Sequence, residues 1–260
     1  LFINMSTFNP FQLPERAIIA HRGASAHAPE NTLAAFRLAL EHGAHAIELD
    51  ALLTRDGEVA VIHDNILGRT TDGRGAVKAL EWADLQSLDA GRWFNGDFAG
   101  ERIPHLRAVL QAVAPHITVN IELKNDAAPF NALAEQVSNL IRETNTAERV
   151  FISSFNPLAL RRFHQLQPEI PIGLLALGGG AGLGRVAARF VPHDALHPHQ
   201  RAVTPPLVAR AHAAGKRVHA YTVNAPEDMR RLFALGVNGI FTDDPRLAIT
   251  IRSQYEQARR

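Results

Sequence analysis

Residues 45–63 read HAIELDALLTRDGEVAVIH, and the fold turns on how this stretch is divided. HAIELDALL at 45–53 and VAVI at 59–62 are short, predominantly apolar runs of the kind that make buried strands. Only TRDG and Glu58 separate them. A parallel crossover needs about a dozen residues, so the second run must return antiparallel, as the second arm of a hairpin. With that arm set aside, the strand candidates are 17–20 (AIIA), 45–53, 117–122 (ITVNIE), 150–153 (VFIS), 171–176 (PIGLLA), 194–197 (DALH), 217–223 (RVHAYTV) and 239–242 (GIFT). Amphipathic helices are read between and after them at 31–42, 130–144, 157–166, 205–214, 226–235 and 245–252. Parallel strands alternating with helices in this number predict an α/β fold of the (β/α)8 TIM-barrel type. The pattern runs as a single domain from about residue 17 to 250.

Around that frame, residues 31–42 place Leu33, Phe36 and Leu40 on one helix face, with Asn31 as expected N-cap and Gly43 as the stop. The segment 65–110 is longer than a crossover requires. It carries GRTTDGRG, a short helical piece near 81–87 and the loop AGRWFNGDFAGERIP. It is read as an insertion over the C-terminal mouth of the barrel, where long ordered loops shape substrate sites.

Composition narrows the function classes. The chain has 260 residues, 46% hydrophobic, with 27 Lys plus Arg against 26 Asp plus Glu, a formal charge of +1. Nucleic-acid binding rests on a basic surface and is not expected. Cysteine is absent, which excludes disulfides and thiolate metal sites. No apolar run approaches the length of a membrane span, and LFINMSTFNPFQLPERA lacks the basic start and long apolar core of a secretory signal. Met5 is read as the natural start, and a cytoplasmic protein without a membrane partner is expected. The oligomeric state is left open. Thirteen histidines are many for this length, and histidine titrates near neutrality.

In a barrel, the C-terminal ends of the strands face the active site. His21 and Arg22 follow the first strand directly, with Gly23 allowing a sharp turn. Glu48 and Asp50 are two apart on the second strand and project from one face. Their mutual repulsion calls for a proton or a cation. A hairpin turn at Asp56 sets His63 opposite Glu48, on that same face. Glu122 and Lys124 repeat the two-residue spacing at the end of the next parallel strand. Three acids converging from two strands suit one hard, oxygen-seeking cation, Mg²⁺ or Ca²⁺. Arg22 and Lys124 beside that charge, with His21 and His63 to move protons, suit a phosphate ester. Phe155 and the Trp93–Phe94 pair serve a pocket wall or an ordinary core equally well.

Other features point elsewhere. GGGAGLG at 178–184 lacks the Lys-Ser/Thr of a P-loop and the GxGxxG spacing, and is read as a flexible loop. His193, His197 and His199 are read as a polar rim touching substrate rather than a zinc site. The remaining histidines are assigned to surface or packing. Asn224–Glu227 reads as a helix N-cap with a capping-box Glu, and TDDPR at 242–246 as a second helix start of the same kind.

HRG…PENT at 21–32, ELD…TRDG…VIHD at 48–64, RTTDGRG…LDAGRWF, IELK at 121–124, SSF at 153–155, YTVN at 221–224 and TDDP at 242–245 together resemble the glycerophosphodiester phosphodiesterase family. The likeness runs in order over nearly the whole chain. It implies a TIM barrel that uses one divalent cation to hydrolyse glycerophosphodiesters to glycerol 3-phosphate and an alcohol. By position it implies Glu48, Asp50 and Glu122 as metal ligands, His21 and His63 as the acid/base pair, and Arg22 and Lys124 on phosphate. Tyr221 stands where the family usually has Trp, which keeps an aromatic wall but could alter the alcohol or glycerol pocket. The expected partner is a small soluble glycerophosphodiester of the deacylated-phospholipid kind. Competing readings are a metal-dependent TIM-barrel sugar isomerase or lyase, a phosphodiesterase for another diester, and a non-catalytic barrel. Release of glycerol 3-phosphate separates the first reading from these.

Overall fold

The computed structural model describes residues 11–124, 132–176 and 191–259. The strands are β1 (Ala17–Ala20), β2 (Ala46–Leu53), β3 (Val59–Val61), β4 (Thr118–Leu123), β5 (Val150–Ser154), β6 (Ile172–Ala176), β7 (Ala195–Pro198), β8 (Arg217–Ala220) and β9 (Gly239–Thr242). They form one sheet in the order β1-β9-β8-β7-β6-β5-β4-β2-β3, and a further β1–β2 pairing closes it. Every pairing is parallel except β2 with β3. The closed part is therefore an eight-stranded parallel barrel, and β3 is the antiparallel hairpin arm outside it.

The barrel closes because each strand is buried on both faces, and its alternating side chains supply two different cores. Ile47, Leu49, Val119, Ile121 and Ile152 point outward against the helices. Helix Leu106–Val113 buries Leu106, Val109, Leu110 and Val113, and helix Leu133–Thr144 buries Leu133, Val137, Leu140 and Ile141. Both sets follow the spacing of one helical face. The inward-facing set includes Ile19, Ala46, Phe151, Ala195 and Phe241, packed with Phe11 and Leu13 from the segment preceding β1. Phe11 stands edge-on to Phe151 and to His219, at centroid separations of 5.1 and 5.3 Å. Cross-strand register carries this interior set upward. Glu48 is level with Asn120, Asp50 with Glu122, and Glu122 with Ser153. The lower barrel is thus filled with aromatic and aliphatic groups, and its upper layer is polar.

The hairpin register differs by one residue from the sequence expectation. Ala51 pairs with Val61 and Leu53 with Val59, so Glu48 is not opposite His63. The ladder stops at Val61, and the Ile62 amide donates to the Asp50 carbonyl at 3.0 Å. His63 leaves the ladder there, free of the in-or-out alternation that a paired strand would impose.

The segment after β3 builds its own apolar cluster on the hairpin face that continues the barrel interior, the face of Glu48 and Asp50. Leu52, Ala60 and Ile62 pack there against Leu67, Val77, Leu85, Ala90 and Ile103. Its Thr70 and Thr71 line a small cavity with Glu30, Asn31 and His63. Among the described residues, no helix is long and apolar enough to cross a membrane. The GGGAGLG run lies outside the described residues.

Candidate active site

Strand ends place the site. β1 delivers His21 and Arg22 into a tight turn in which Arg22 has φ 56° and Gly23 φ 84°. A Cβ at Gly23 would press on the Ala35 backbone, so only glycine permits this approach of the turn to the following helix. A non-glycine residue held at positive φ stores strain of the kind found where a side chain must be aimed. The Arg22 backbone N–H donates to Glu48 Oε2 at 2.9 Å, and the Arg22 Nε lies 3.1 Å from Asp50 Oδ2.

Glu48, Asp50 and Glu122 are all buried, and one carboxylate oxygen from each lies within 4.8 Å of the others. Burial, and then the charges of Asp50 and Glu122, push Glu48 well above its ordinary value. Burial also opposes ionisation of Asp50, but Arg22, His63 and Lys124 outweigh it and hold that carboxyl low. Lys124 Nζ sits 3.2 Å from Glu122 Oε1 and 3.8 Å from Asp50 Oδ1. Asp50 Oδ1 is fully buried with no hydrogen-bond partner among the described residues. Three buried acids, one with an orphaned oxygen and one driven toward protonation, fit a hard divalent cation.

Two imidazoles complete the arrangement. His21 Nδ1 meets Asp243 Oδ1 at 2.7 Å, and His63 Nδ1 meets Asp64 Oδ1 at 2.6 Å. A carboxylate only accepts, so each Nδ1 carries the proton and each Nε2 is the ring nitrogen left over. Burial would raise Asp243, yet hydrogen bonds from His21, Asn224 and Ser25 hold it low. Burial lowers His63, and the nearby Arg22 and Lys124 add to that against the pull of Asp50.

His21, Arg22, Glu48, His63, Glu122, Lys124, Phe155 and Tyr221 all line one open cavity of about 230 Å³, with Asn120, Ser153 and Phe241 among its other walls. Phe155 and Tyr221 stand edge to face at 5.9 Å. The Tyr221 hydroxyl donates to the Ala176 carbonyl at 3.0 Å, and burial followed by the Glu122 charge pushes it up to about 12, so it stays a donor. Asp50 lies behind this wall, clamped by Asn31 through Nδ2 to Oδ2 at 2.8 Å and by its own amide to Asn31 Oδ1 at 3.2 Å.

Residues 21–247 match the Glycerophosphoryl diester phosphodiesterase family. The chain belongs to this family. A glycerophosphodiester phosphodiesterase of Caldanaerobacter subterraneus subsp. tengcongensis is 42% identical over 235 residues, spanning 90% of this chain and 96% of that one. One from Bacillus altitudinis is 37% identical over 241 residues, spanning 91% and 98%. The barrel superposes with TM-score 0.86 and 30% identity on an Oleispira antarctica phosphodiesterase solved in complex with the product sn-glycerol-3-phosphate, covering 92% of this chain and 97% of that one. As a member of the glycerophosphoryl diester phosphodiesterase family, the protein is an enzyme, and its reaction is hydrolysis of a phosphodiester.

Several expectations need correction within this family fold. Asn31 does not cap the first helix. Thr32 does, accepting from the Ala35 amide, while Asn31 turns at φ 59° to hold Asp50. Asn224 is not a cap either, since the helix begins after Ala225 and Asn224 instead accepts from the Asp243 amide and donates to its carboxylate. His197 is fully buried in the barrel, 3.2 Å from His219, and neither His193 nor His199 lines the cavity. Trp93 and Phe94 pack on each other away from the cavity wall. Asp64, Asp243, Asn31 and Glu30 carry no site role in the sequence pattern, and the structure brings all four against site residues. Asp64 adjoins His63, and Asp243 follows Thr242, which is level with Ala20 just before His21. Position at a strand end was the available sign.

Proposed function

We propose that the enzyme hydrolyses water-soluble glycerophosphodiesters, deacylated phospholipids such as glycerophosphocholine, to sn-glycerol 3-phosphate and an alcohol. The carrying observation is one cavity that sets two carboxylate-backed imidazoles and two cations around a buried triad of acids. On this reading one domain spanning about 17–250 carries the whole activity in the cytoplasm. The site chemistry suits a charged diester rather than a neutral sugar.

Glu48, Asp50 and Glu122 would hold one divalent cation, Mg²⁺ or Ca²⁺. Such a cation supplies Lewis-acid charge to the phosphoryl oxygens. Arg22 and Lys124 bind those oxygens and offset the charge that grows in the pentavalent transition state. One of His21 and His63, through Nε2, takes the proton of the attacking water or glycerol hydroxyl as its oxygen bonds to phosphorus. The other, as imidazolium, gives its Nε2 proton to the alkoxide as the opposite P–O bond breaks. Where the glycerol hydroxyl attacks, the cyclic phosphodiester so formed is opened by water in a second displacement, with the two imidazoles exchanging roles, to give glycerol 3-phosphate. Each such transfer typically contributes about 10²–10⁴-fold. Phe155 and Tyr221 offer the apolar side of the substrate an aromatic wall.

A coupled glycerol 3-phosphate assay over a panel of glycerophosphodiesters, with chelator and with Mg²⁺ or Ca²⁺ added back, tests this. Product release that chelation abolishes and add-back restores is expected. Chelator-insensitive hydrolysis, or none with any diester, would overturn the proposal.

A further inference from the structure

One guanidinium, outside the residues so far given a role, joins the two loops that carry Arg22 and His63. Arg69 belongs to the segment inserted after β3. Its Nε donates to Asp64 Oδ2 at 2.6 Å. Its two terminal nitrogens donate to Glu30, one oxygen each, at 2.8 and 2.7 Å. Neither carboxylate ends there. Asp64 uses its other oxygen on His63, and Glu30 Oε1 also takes the Arg22 NH1 at 2.9 Å. All these bonds are charge-assisted, and the Glu30 contact is the two-pronged geometry that fixes both distance and angle.

We propose that Arg69 is a positioning residue for hydrolysis, holding Asp64 and Glu30 so that His63 and Arg22 present a single geometry to the cavity. The proposal rests on the diester-hydrolysis reading above. An isolated exposed ion pair does little, and the Arg69 side chain is 46% exposed. Here, however, it is the hub of a network whose two branches each end on a group that lines the cavity, and such networks act as a unit. The rest of the rim explains why a hub is needed at this place. His63 has left the β-ladder, so no backbone pairing orients it. The insertion replaces that missing constraint with a side chain. Burial disfavours the charged form of Asp64, but the hydrogen bonds from Arg69 and His63 outweigh it and hold the carboxyl at about 2. Asp64 therefore remains an acceptor for both partners. Lysine could supply the charge but not three donors in a fixed plane.

The test combines kinetics with proton NMR. In steady-state release of glycerol 3-phosphate at saturating divalent cation, Arg69→Met is expected to lower kcat about 10–100-fold, the usual effect of losing an outer partner of a site residue. Arg69→Lys should restore only a small part of it. In an Asp64→Asn/Glu30→Gln background, where both partners are altered, Arg69→Met should cost no more than about twofold further. Arg92→Met, on the same insertion, is the control and should leave kcat within about twofold. The Nδ1 proton resonance of His63, identified by its loss in His63→Asn, should move in Arg69→Met while that of His21 stays. If Arg69→Met does not fold, Arg69→Lys carries the same NMR comparison. An equal kcat loss in both backgrounds, or an unmoved His63 resonance in a folded Arg69 variant, overturns the proposal. Wild-type enzyme that releases no glycerol 3-phosphate overturns the functional reading instead, and the NMR result stands apart from that outcome.

Discussion

His21 and His63 share a cavity, and each has a carboxylate on Nδ1, but the two halves of the site are built from different material. The His21 half comes from loops at the ends of β1, β8 and β9. Asp243 is held there by Ser25 and by Asn224, neutral donors carried on barrel loops. The His63 half comes from the hairpin arm and the insertion, and Asp64 is held by the Arg69 cation. The first half inherits its geometry from parallel register, because Thr242 is level with Ala20. The second lies beyond the end of a ladder and depends on ion pairs. Backbone pairing and side-chain networks can therefore serve the same end, and the second is the more easily disturbed by one substitution.

The largest test removes either imidazole. His21→Ala and His63→Ala should each lower kcat about 10²–10⁴-fold, with divalent-cation affinity by calorimetry unchanged. A variant that kept a tenth of wild-type turnover would take its histidine out of the proton transfers. Next come the carboxylates. Asp243→Asn and Asp64→Asn should each lower kcat about 10–100-fold, with KM changing less, since both act by holding an imidazole. A loss confined to KM would mean that these carboxylates serve substrate binding.

Acid should separate the barrel from the insertion. Burial and the Arg252 charge push His45 down to about 4, where its Nδ1 accepts from the Ile18 amide of β1 at 2.9 Å. Its folded value lies below the ordinary 6.5, so its contribution is complete above that pH and lost as pH falls toward 4. Asp89 in the insertion is held at about 2 by the amides of Arg92, Gly91 and Gly100. Its contribution is complete above 3.8 and lost only as pH falls from there toward 2. Amide-exchange protection should therefore weaken first at β1, and at Gly91 and Gly100 only in stronger acid. His45→Gln should remove the first phase, and simultaneous loss at both places would show that the two regions do not open separately. The smallest effect belongs to Trp93→Ala. Its ring lies off the cavity wall, so kcat should stay within about twofold, and a larger fall would place the aromatic end of the insertion in the site.

Much of the site was legible because barrel geometry converts sequence spacing into direction. Glu48 and Asp50, two apart on a strand, had to share a face, and so did Glu122 and Lys124 at the next parallel strand end. The turn that follows β1 needed Gly23, and His21 and Arg22 preceded it. His63 reached the cavity for a different reason from the one its sequence position suggested. The ladder is offset by one residue and ends early, so strand alternation does not place it. Asn31 and Asn224 misled in the same way. Both have the chemistry of a helix cap, and that local use competes with long-range hydrogen bonding that spacing cannot reveal.

The histidines show the same limit. Thirteen in sequence look alike, yet the structure separates two at the cavity from His197 and His219, which fill the barrel below. A Cβ at Gly173 would collide with the His197 ring, so a residue on one strand decides the burial of a side chain on another. By itself the sequence determined the eight-stranded alternation, the outlying hairpin arm, the acid spacing and the family, because each depends on local period, chain length or order. Tertiary structure alone decided which carboxylate backs each imidazole, what clamps Asp50, and how Arg69 bridges two loops. Those contacts join residues as far apart as His21 and Asp243, and only closure of the barrel brings them within hydrogen-bond distance.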